Sequence, residues 1–262
     1  MGRVVFIGAG PGAADLITLR GARALERADV VLFDALTDPA LRSLAPDAQW
    51  VDVGKRGFAR LPSSAAGNSD GQAAINALLV RHARRVPLVA RLKGGDPSVF
   101  GRLEEELAAL AAAGIACEVI PGVTAALAAA AHTQRPLTRR GTGRSVSLST
   151  AMTREGSLAA TRSADTEVFY MAGKQLRGLS RRLLEAGWPP HTPVSVVSRA
   201  GLSDALASEH SVATLHDATV LHAGRPTVVC VGAGATAVAQ RPAEATRPAP
   251  AGHAAPVGMA NP

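Results

Sequence analysis

Short apolar runs alternate with helix-spaced segments along the chain. Residues 4–7 form the first run, ending in the turn Gly8-Ala9-Gly10-Pro11-Gly12, and a helical spacing follows over about 18–27. Residues 30–33 read as a second strand ending at Asp34, and 86–92 as a third that runs into the loop 93–101. A helix is expected over 104–113 and a strand over 117–120, after which Pro121-Gly122-Val123-Thr124 opens an alanine-rich helix to about 131. This alternation predicts an α/β fold whose mainly parallel sheet carries helices on its faces.

The pattern breaks at 134–144, a linker rich in Pro, Gly, Thr and Arg. Beyond it, strands are expected over 145–149, 167–171, 194–198, 212–215 and 227–231, with one helix over 175–186. Their closer spacing points to a mixed sheet. Two α/β domains are therefore expected, 1–135 and 136–240. Ala and Pro dominate 241–262, which reads as a disordered tail, and the small polar stretch 58–71 as a flexible loop.

With 262 residues, 47% of them apolar, the chain can bury a substantial core. No apolar run is long enough to span a bilayer, and the one after Met1 is too short for a secretory signal, so a cytoplasmic protein without membrane contact is expected. Cys117 and Cys230 sit in strand-like runs and read as small core residues rather than a disulfide.

The net charge of +7 comes from arginine, since Lys55, Lys93 and Lys174 are the only lysines among 28 basic residues. Nucleic acid, a polyanionic small molecule, or a genome that writes Arg for Lys at solvated positions would each account for it. Aromatics are 3% of the chain and are not interleaved with the basic residues, which argues against a base-stacking surface and for a small anion as partner.

Four constellations could carry chemistry. Gly8-x-Gly10-x-x-Ala13 with Asp34 fits a dinucleotide fingerprint, but Pro11 removes a backbone donor and the helical spacing starts about eight residues after Gly10. Lys93-Gly94-Gly95-Asp96-Pro97 ends a strand where open α/β sheets bind ligands; Asp96 is either an acceptor for a ligand with donor groups or a turn former. Thr124 faces the same edge as a ligand contact or a helix cap. Gly54-Lys55-Arg56 is either a carboxylate-binding pair or a solvated one. His82, His132, His191, His210, His216, His222 and His253 show no ligand spacing, so no metal is expected, and signatures of covalent nucleophiles are absent.

Taken in order, eight motifs over about 3–235 resemble the tetrapyrrole methyltransferases, most closely the branch acting on uroporphyrinogen III. They are Val5-Phe6-Ile7-Gly8-Ala9-Gly10-Pro11-Gly12, Ala28-Asp29-Val30-Val31-Leu32-Phe33-Asp34, Gly54-Lys55-Arg56, Gln72 with Ile75-Asn76, and Arg91-Leu92-Lys93-Gly94-Gly95-Asp96-Pro97. Pro121-Gly122-Val123-Thr124-Ala125, Pro136-Leu137-Thr138-Arg139-Arg140 and Val168-Phe169-Tyr170-Met171 complete the set. The resemblance implies a homodimer of two-domain chains with S-adenosyl-L-methionine in the cleft between the domains. It implies cofactor contacts at Pro11, Gly94, Gly95, Asp96, Val99, Thr124, Ala125, Met171, Ala200 and Thr227. Asp34 is implied as proton acceptor, Lys55 as proton donor and Arg56 as a substrate contact. Uroporphyrinogen III would be methylated at C2 and C7 through precorrin-1 to precorrin-2, on the way to sirohaem or cobalamin, leaving S-adenosyl-L-homocysteine.

The chain departs from that pattern at Gly101-Arg102-Leu103-Glu104-Glu105-Glu106, Arg139, Thr150-Ala151-Met152 and Ser198-Arg199-Ala200-Gly201. Another precorrin methyltransferase, a nicotinamide-dependent oxidoreductase, and a tetrapyrrole- or cofactor-binding protein without turnover are the competing readings.

Overall fold

A computed structural model describes residues 2–34, 36–54, 68–152 and 158–238. It contains two five-stranded sheets. The first holds β1 (Arg3–Gly8), β2 (Val30–Phe33), β3 (Gln49–Asp52), β4 (Leu88–Lys93) and β5 (Cys117–Ile120), in the order β3-β2-β4-β1-β5. Every pairing in it is parallel. Strands buried on both faces are mostly apolar, which is why β1 reads as an unbroken run from Val4 to Ile7 and β4 is apolar except for Arg91 and Lys93.

Successive side chains of these strands go to opposite faces. Val5, Ile7, Val31, Ala90 and Leu92 pack with Ala24 and Leu25 of α1 (Leu19–Leu25). Val4, Phe6, Val30, Leu32 and Val89 pack with Ile75 and Leu79 of α2 (Asn68–Ala83) and Leu110 of α3 (Leu103–Ala112). Burying each of these larger side chains contributes about 1.5–3 kcal/mol, so the two faces together hold the sheet in register.

The second sheet orders β6 (Val146–Thr150), β7 (Thr166–Tyr170), β8 (Pro193–Ser198), β9 (Leu206–Ser211) and β10 (Thr227–Gly232) as β6-β7-β10-β8-β9. It is mixed as expected: β6 and β7 run parallel, and the other pairs antiparallel. On one face Leu176, Leu179 and Leu183 of α5 (Leu176–Glu185) meet Phe169, Val194, Val196, Val229 and Val231. The other face is covered by α4 (Ala125–Thr133), whose Ala126, Ala128 and Ala129 lie against Val168, Tyr170, Val197, Val228 and Cys230. Thus the helix that follows the last strand of the first sheet packs on the second, and its small residues let it come close. The short α6 (Ala218–Leu221) buries Ala218 beside α5. No helix among the described residues is long and apolar enough to cross a membrane.

Three expectations need correction. The strand expected over 212–215 is a turn leading into a 3-10 helix, and the strand itself is the preceding β9. As an edge strand β9 buries little, so its sequence carries no apolar run. The equally polar edge strand β3 had no apolar signal for the same reason. The loop expected over 58–71 gives way to α2 from Asn68; residues 58–67 lie outside the described residues, as does the tail 241–262. Cys117 is exposed on the edge strand β5, whereas Cys230 is buried and burial pushes its thiol pKa up to about 12.

Candidate active site

Because the first sheet is parallel, the loops after β1, β2, β4 and β5 all emerge at one edge. Across from them stand the ends of β7 and β8. The antiparallel β10 brings its first residues to the same place, with Thr227 opposite Ser198. The two groups of loops enclose a cleft of about 490 Å³. Pro11, Asp34, Gly94, Gly95, Asp96, Val99, Thr124, Ala125, Met171, Ala200 and Thr227 all line it. Lys55 and Arg56 lie outside the described residues; Gly54, just before them, follows β3, the neighbour of β2.

The glycines chiefly serve contact between loops. Gly10 and Gly95 exchange backbone hydrogen bonds at 3.2 and 2.6 Å. A Cβ on Gly122 would fall 2.4 Å from the Gly95 carbonyl oxygen and 2.7 Å from Gly8 Cα, so the loops after β1, β4 and β5 meet backbone to backbone. Between the halves, Ala13 N–H donates to Gly201 O at 2.9 Å.

These bonds count against a dinucleotide site. The N–H groups of Ala9, Gly10 and Ala13 already donate to protein carbonyls, and that of Ala14 to Asp38 Oδ2. The N-terminus of α1 lies downstream, where Thr18 Oγ1 accepts from Gly21 N–H at 3.1 Å. Apart from Gly12 N–H the donors of the glycine turn are engaged, and no α-helix dipole points at it for a pyrophosphate.

Asp96 forms the turn and also ties two loops together: Oδ1 accepts from Ser98 N–H at 2.8 Å and Oδ2 from Gly122 N–H at 2.9 Å. Thr124 stands at the N-cap of α4 without making a side-chain cap bond. Its hydroxyl instead meets the Tyr170 hydroxyl at 2.8 Å, and Tyr170 packs on Phe100 with ring centroids 5.0 Å apart. Burial, against the Thr124 bond, raises the Tyr170 phenol pKa above its ordinary value, so the pair is neutral.

Behind the cleft lies a buried charge network. Val89, Arg91 and Lys93 share the face of β4 that looks toward α2 and α3. Arg91 Nη2 reaches Asp34 Oδ1 at 2.8 Å and Glu106 Oε1 at 3.3 Å, and Lys93 Nζ reaches Glu106 Oε2 at 2.8 Å. Gln72 Nε2 also donates to Glu106 Oε1. Burial opposes ionisation of Glu106, but the Arg91 and Lys93 charges and the hydrogen bonds outweigh it and hold its carboxyl below the ordinary value. Sequence reasoning assigned no role to Glu106, Arg91 or Tyr170. The available signal was two basic residues on one face of an otherwise apolar central strand, which cannot be buried without acids to meet them.

Of the departures from the family pattern, Gly101, Arg102, Arg199 and Ala200 line the cleft. Arg139 does not; it lines a separate hollow of about 640 Å³ with Arg162, Asp165 and Trp188. Its side chain reaches the Thr236 carbonyl.

Residues 3–219 match the family described as tetrapyrrole (corrin/porphyrin) methylases. The chain is 38% identical over 246 residues to the uroporphyrinogen-III C-methyltransferase of Pseudomonas aeruginosa, covering 92% of this chain and 97% of that one. It is 44% identical over 204 residues to the sirohaem synthase of Edwardsiella ictaluri, covering 75% of this chain but only 42% of that longer protein. Among solved structures, the uroporphyrin-III C-methyltransferase of Thermus thermophilus complexed with S-adenosylhomocysteine superposes with a TM-score of 0.74 at 34% identity, covering 88% of this chain and 97% of that one. A cobalt precorrin-4 methyltransferase superposes with a TM-score of 0.75 at 26% identity, covering 90% and 96%. This chain belongs to the tetrapyrrole methylases.

Proposed function

We propose that the protein transfers methyl groups from S-adenosyl-L-methionine to C2 and C7 of uroporphyrinogen III, giving precorrin-2 through precorrin-1. The observation that carries this reading is that the loops of a tetrapyrrole methylase converge on one cleft, in a chain that aligns with a uroporphyrinogen-III C-methyltransferase along nearly the whole of both. The cleft suits the cofactor. Its volume lies within the roughly 300–1,000 Å³ of small-molecule sites. Pro11, Val99, Ala125, Met171 and Leu202 offer apolar walls, and Gly94, Gly95 and the carboxylates of Asp34 and Asp96 lie between them.

Bound there, the cofactor supplies a methyl group already activated by its sulfonium charge. The protein's part is alignment, exclusion of water and movement of protons. In this reading Asp34 accepts a proton: Arg91 holds Oδ1, while Oδ2 has no hydrogen-bond partner among the described residues. Lys55 returns a proton, and Arg56 holds substrate carboxylates by its bidentate fork. Both follow β3, whose Asp52 pairs with Phe33 just before Asp34. A homodimer in the cytoplasm completes the proposal.

The test is incubation of the purified chain with uroporphyrinogen III and methyl-labelled cofactor. Dimethylated product is expected, and failure to transfer label would overturn the proposal. Faster turnover on a later precorrin would assign the chain to another step of corrin synthesis. Sedimentation at the protomer mass would remove the dimer.

A further inference from the structure

A second hydrogen-bonded chain runs through the half of the molecule opposite Asp34. Thr227, in the cleft wall, donates its hydroxyl proton to the Arg225 carbonyl at 2.8 Å. Its oxygen lies 2.8 Å from Ser198 Oγ, which lies 2.6 Å from His222 Nδ1. His222 Nε2 is 2.8 Å from Ser208 Oγ, and Ser208 Oγ is 2.8 Å from Nε2 of His210. His222 is fully buried and Ser198 likewise, whereas His210 is partly exposed on β9.

Each hydroxyl has one proton, so the carbonyl at the end fixes every donor along the line. Thr227 has spent its proton on Arg225, so Ser198 must donate to Thr227. Ser198 then accepts from His222, which places the imidazole proton on Nδ1. Nε2 is left as an acceptor for Ser208, and Ser208 accepts from Nε2–H of His210. A proton added at His222 Nε2 would oblige Ser208 to turn its own proton away from the ring and accept from both imidazoles. Burial first, then the charges of His210 and Arg225, lowers the His222 pKa in keeping with a neutral ring.

We infer that His222 is a positioning residue for the cofactor: held neutral with its proton on Nδ1, it fixes the Ser198 and Thr227 hydroxyls and with them this wall of the cleft. The chain joins β8, β9 and β10, so the rotamer of Thr227 is set from behind rather than by the ligand. Ser198 and His222 do not form a nucleophilic pair, because both are sealed from the cleft. This inference rests on the proposal that the cleft binds S-adenosylmethionine.

The experiment is titration of wild type, His222→Asn, His222→Gln and Ser198→Ala with S-adenosylhomocysteine. Binding by wild type tests the cleft assignment itself; the variants test the inference. Asn places its amide near the position of Nδ1 and can still donate to Ser198, whereas Gln reaches toward Nε2. His222→Gln and Ser198→Ala are expected to bind about five- to tenfold more weakly, the cost of one lost hydrogen bond, and His222→Asn to recover most of that loss. Equal affinities for Asn and Gln, or unchanged affinity in Ser198→Ala, would overturn it. Should the variants fail to fold, ¹⁵N-resolved NMR of the wild-type histidines decides: His222 is expected with its proton on Nδ1, and a proton on Nε2 alone overturns the inference.

Discussion

Arg91 donates from Nη2 to Asp34 Oδ1 at 2.8 Å, with no part of its own side chain exposed. The same guanidinium also meets Glu106, so one residue joins the residue proposed as proton acceptor to the buried interior. Replacing Arg91 with Met takes the ion-pair partner from Asp34 and leaves Glu106 with Lys93, and is expected to cost about 3–5 kcal/mol. Urea denaturation reads this directly; a variant as stable as wild type would show that the network contributes nothing.

Asp34→Asn keeps an oxygen for Arg91 but removes the base. Turnover should fall about 10²–10⁴-fold while affinity for S-adenosylhomocysteine holds. Loss of affinity with turnover intact would reverse the role proposed for Asp34.

The Thr124 and Tyr170 hydroxyls satisfy each other at 2.8 Å. Thr124→Val and Tyr170→Phe should each cost about 1 kcal/mol, and the double variant little more than either. Additive losses in a double-mutant cycle would mean that the two do not interact.

Gly122→Ala forces a methyl into backbone, 2.4 Å from the Gly95 carbonyl oxygen. The three loops must separate, so affinity for S-adenosylhomocysteine should drop sharply. Calorimetry on the folded variant checks this; wild-type affinity would show that the loop contact is dispensable.

The acid limb of stability should carry the signature of Glu106. Its pKa in the folded state is depressed, so its contribution is present above the ordinary value of 4.5 and is lost as pH falls below it. Glu106→Gln should therefore be less stable than wild type at neutral pH, with the gap narrowing in acid. A gap independent of pH would contradict the sign.

The central strands were legible because burial on both faces favours apolar residues, and β2 falls where the sequence pattern places it. The edge strands β3 and β9 were not, since pairing on one side alone leaves polar residues free to remain. For the site, Gly94, Gly95 and Thr124 were legible as residue types at strand ends. The partners of Asp96 and Thr124 were hidden, because Gly122 and Tyr170 reach them across 26 and 46 residues.

By itself the sequence determined the alternation of strand and helix, the order of the motifs and the family. These follow from local burial and turn chemistry, which act within a few residues. Tertiary structure decided which loops share the cleft, that α4 packs on the second sheet, and that Arg91 and His222 stand behind opposite walls. Such relationships depend on strand order and register, which bring distant residues to hydrogen-bond distance and leave no periodic trace in the chain.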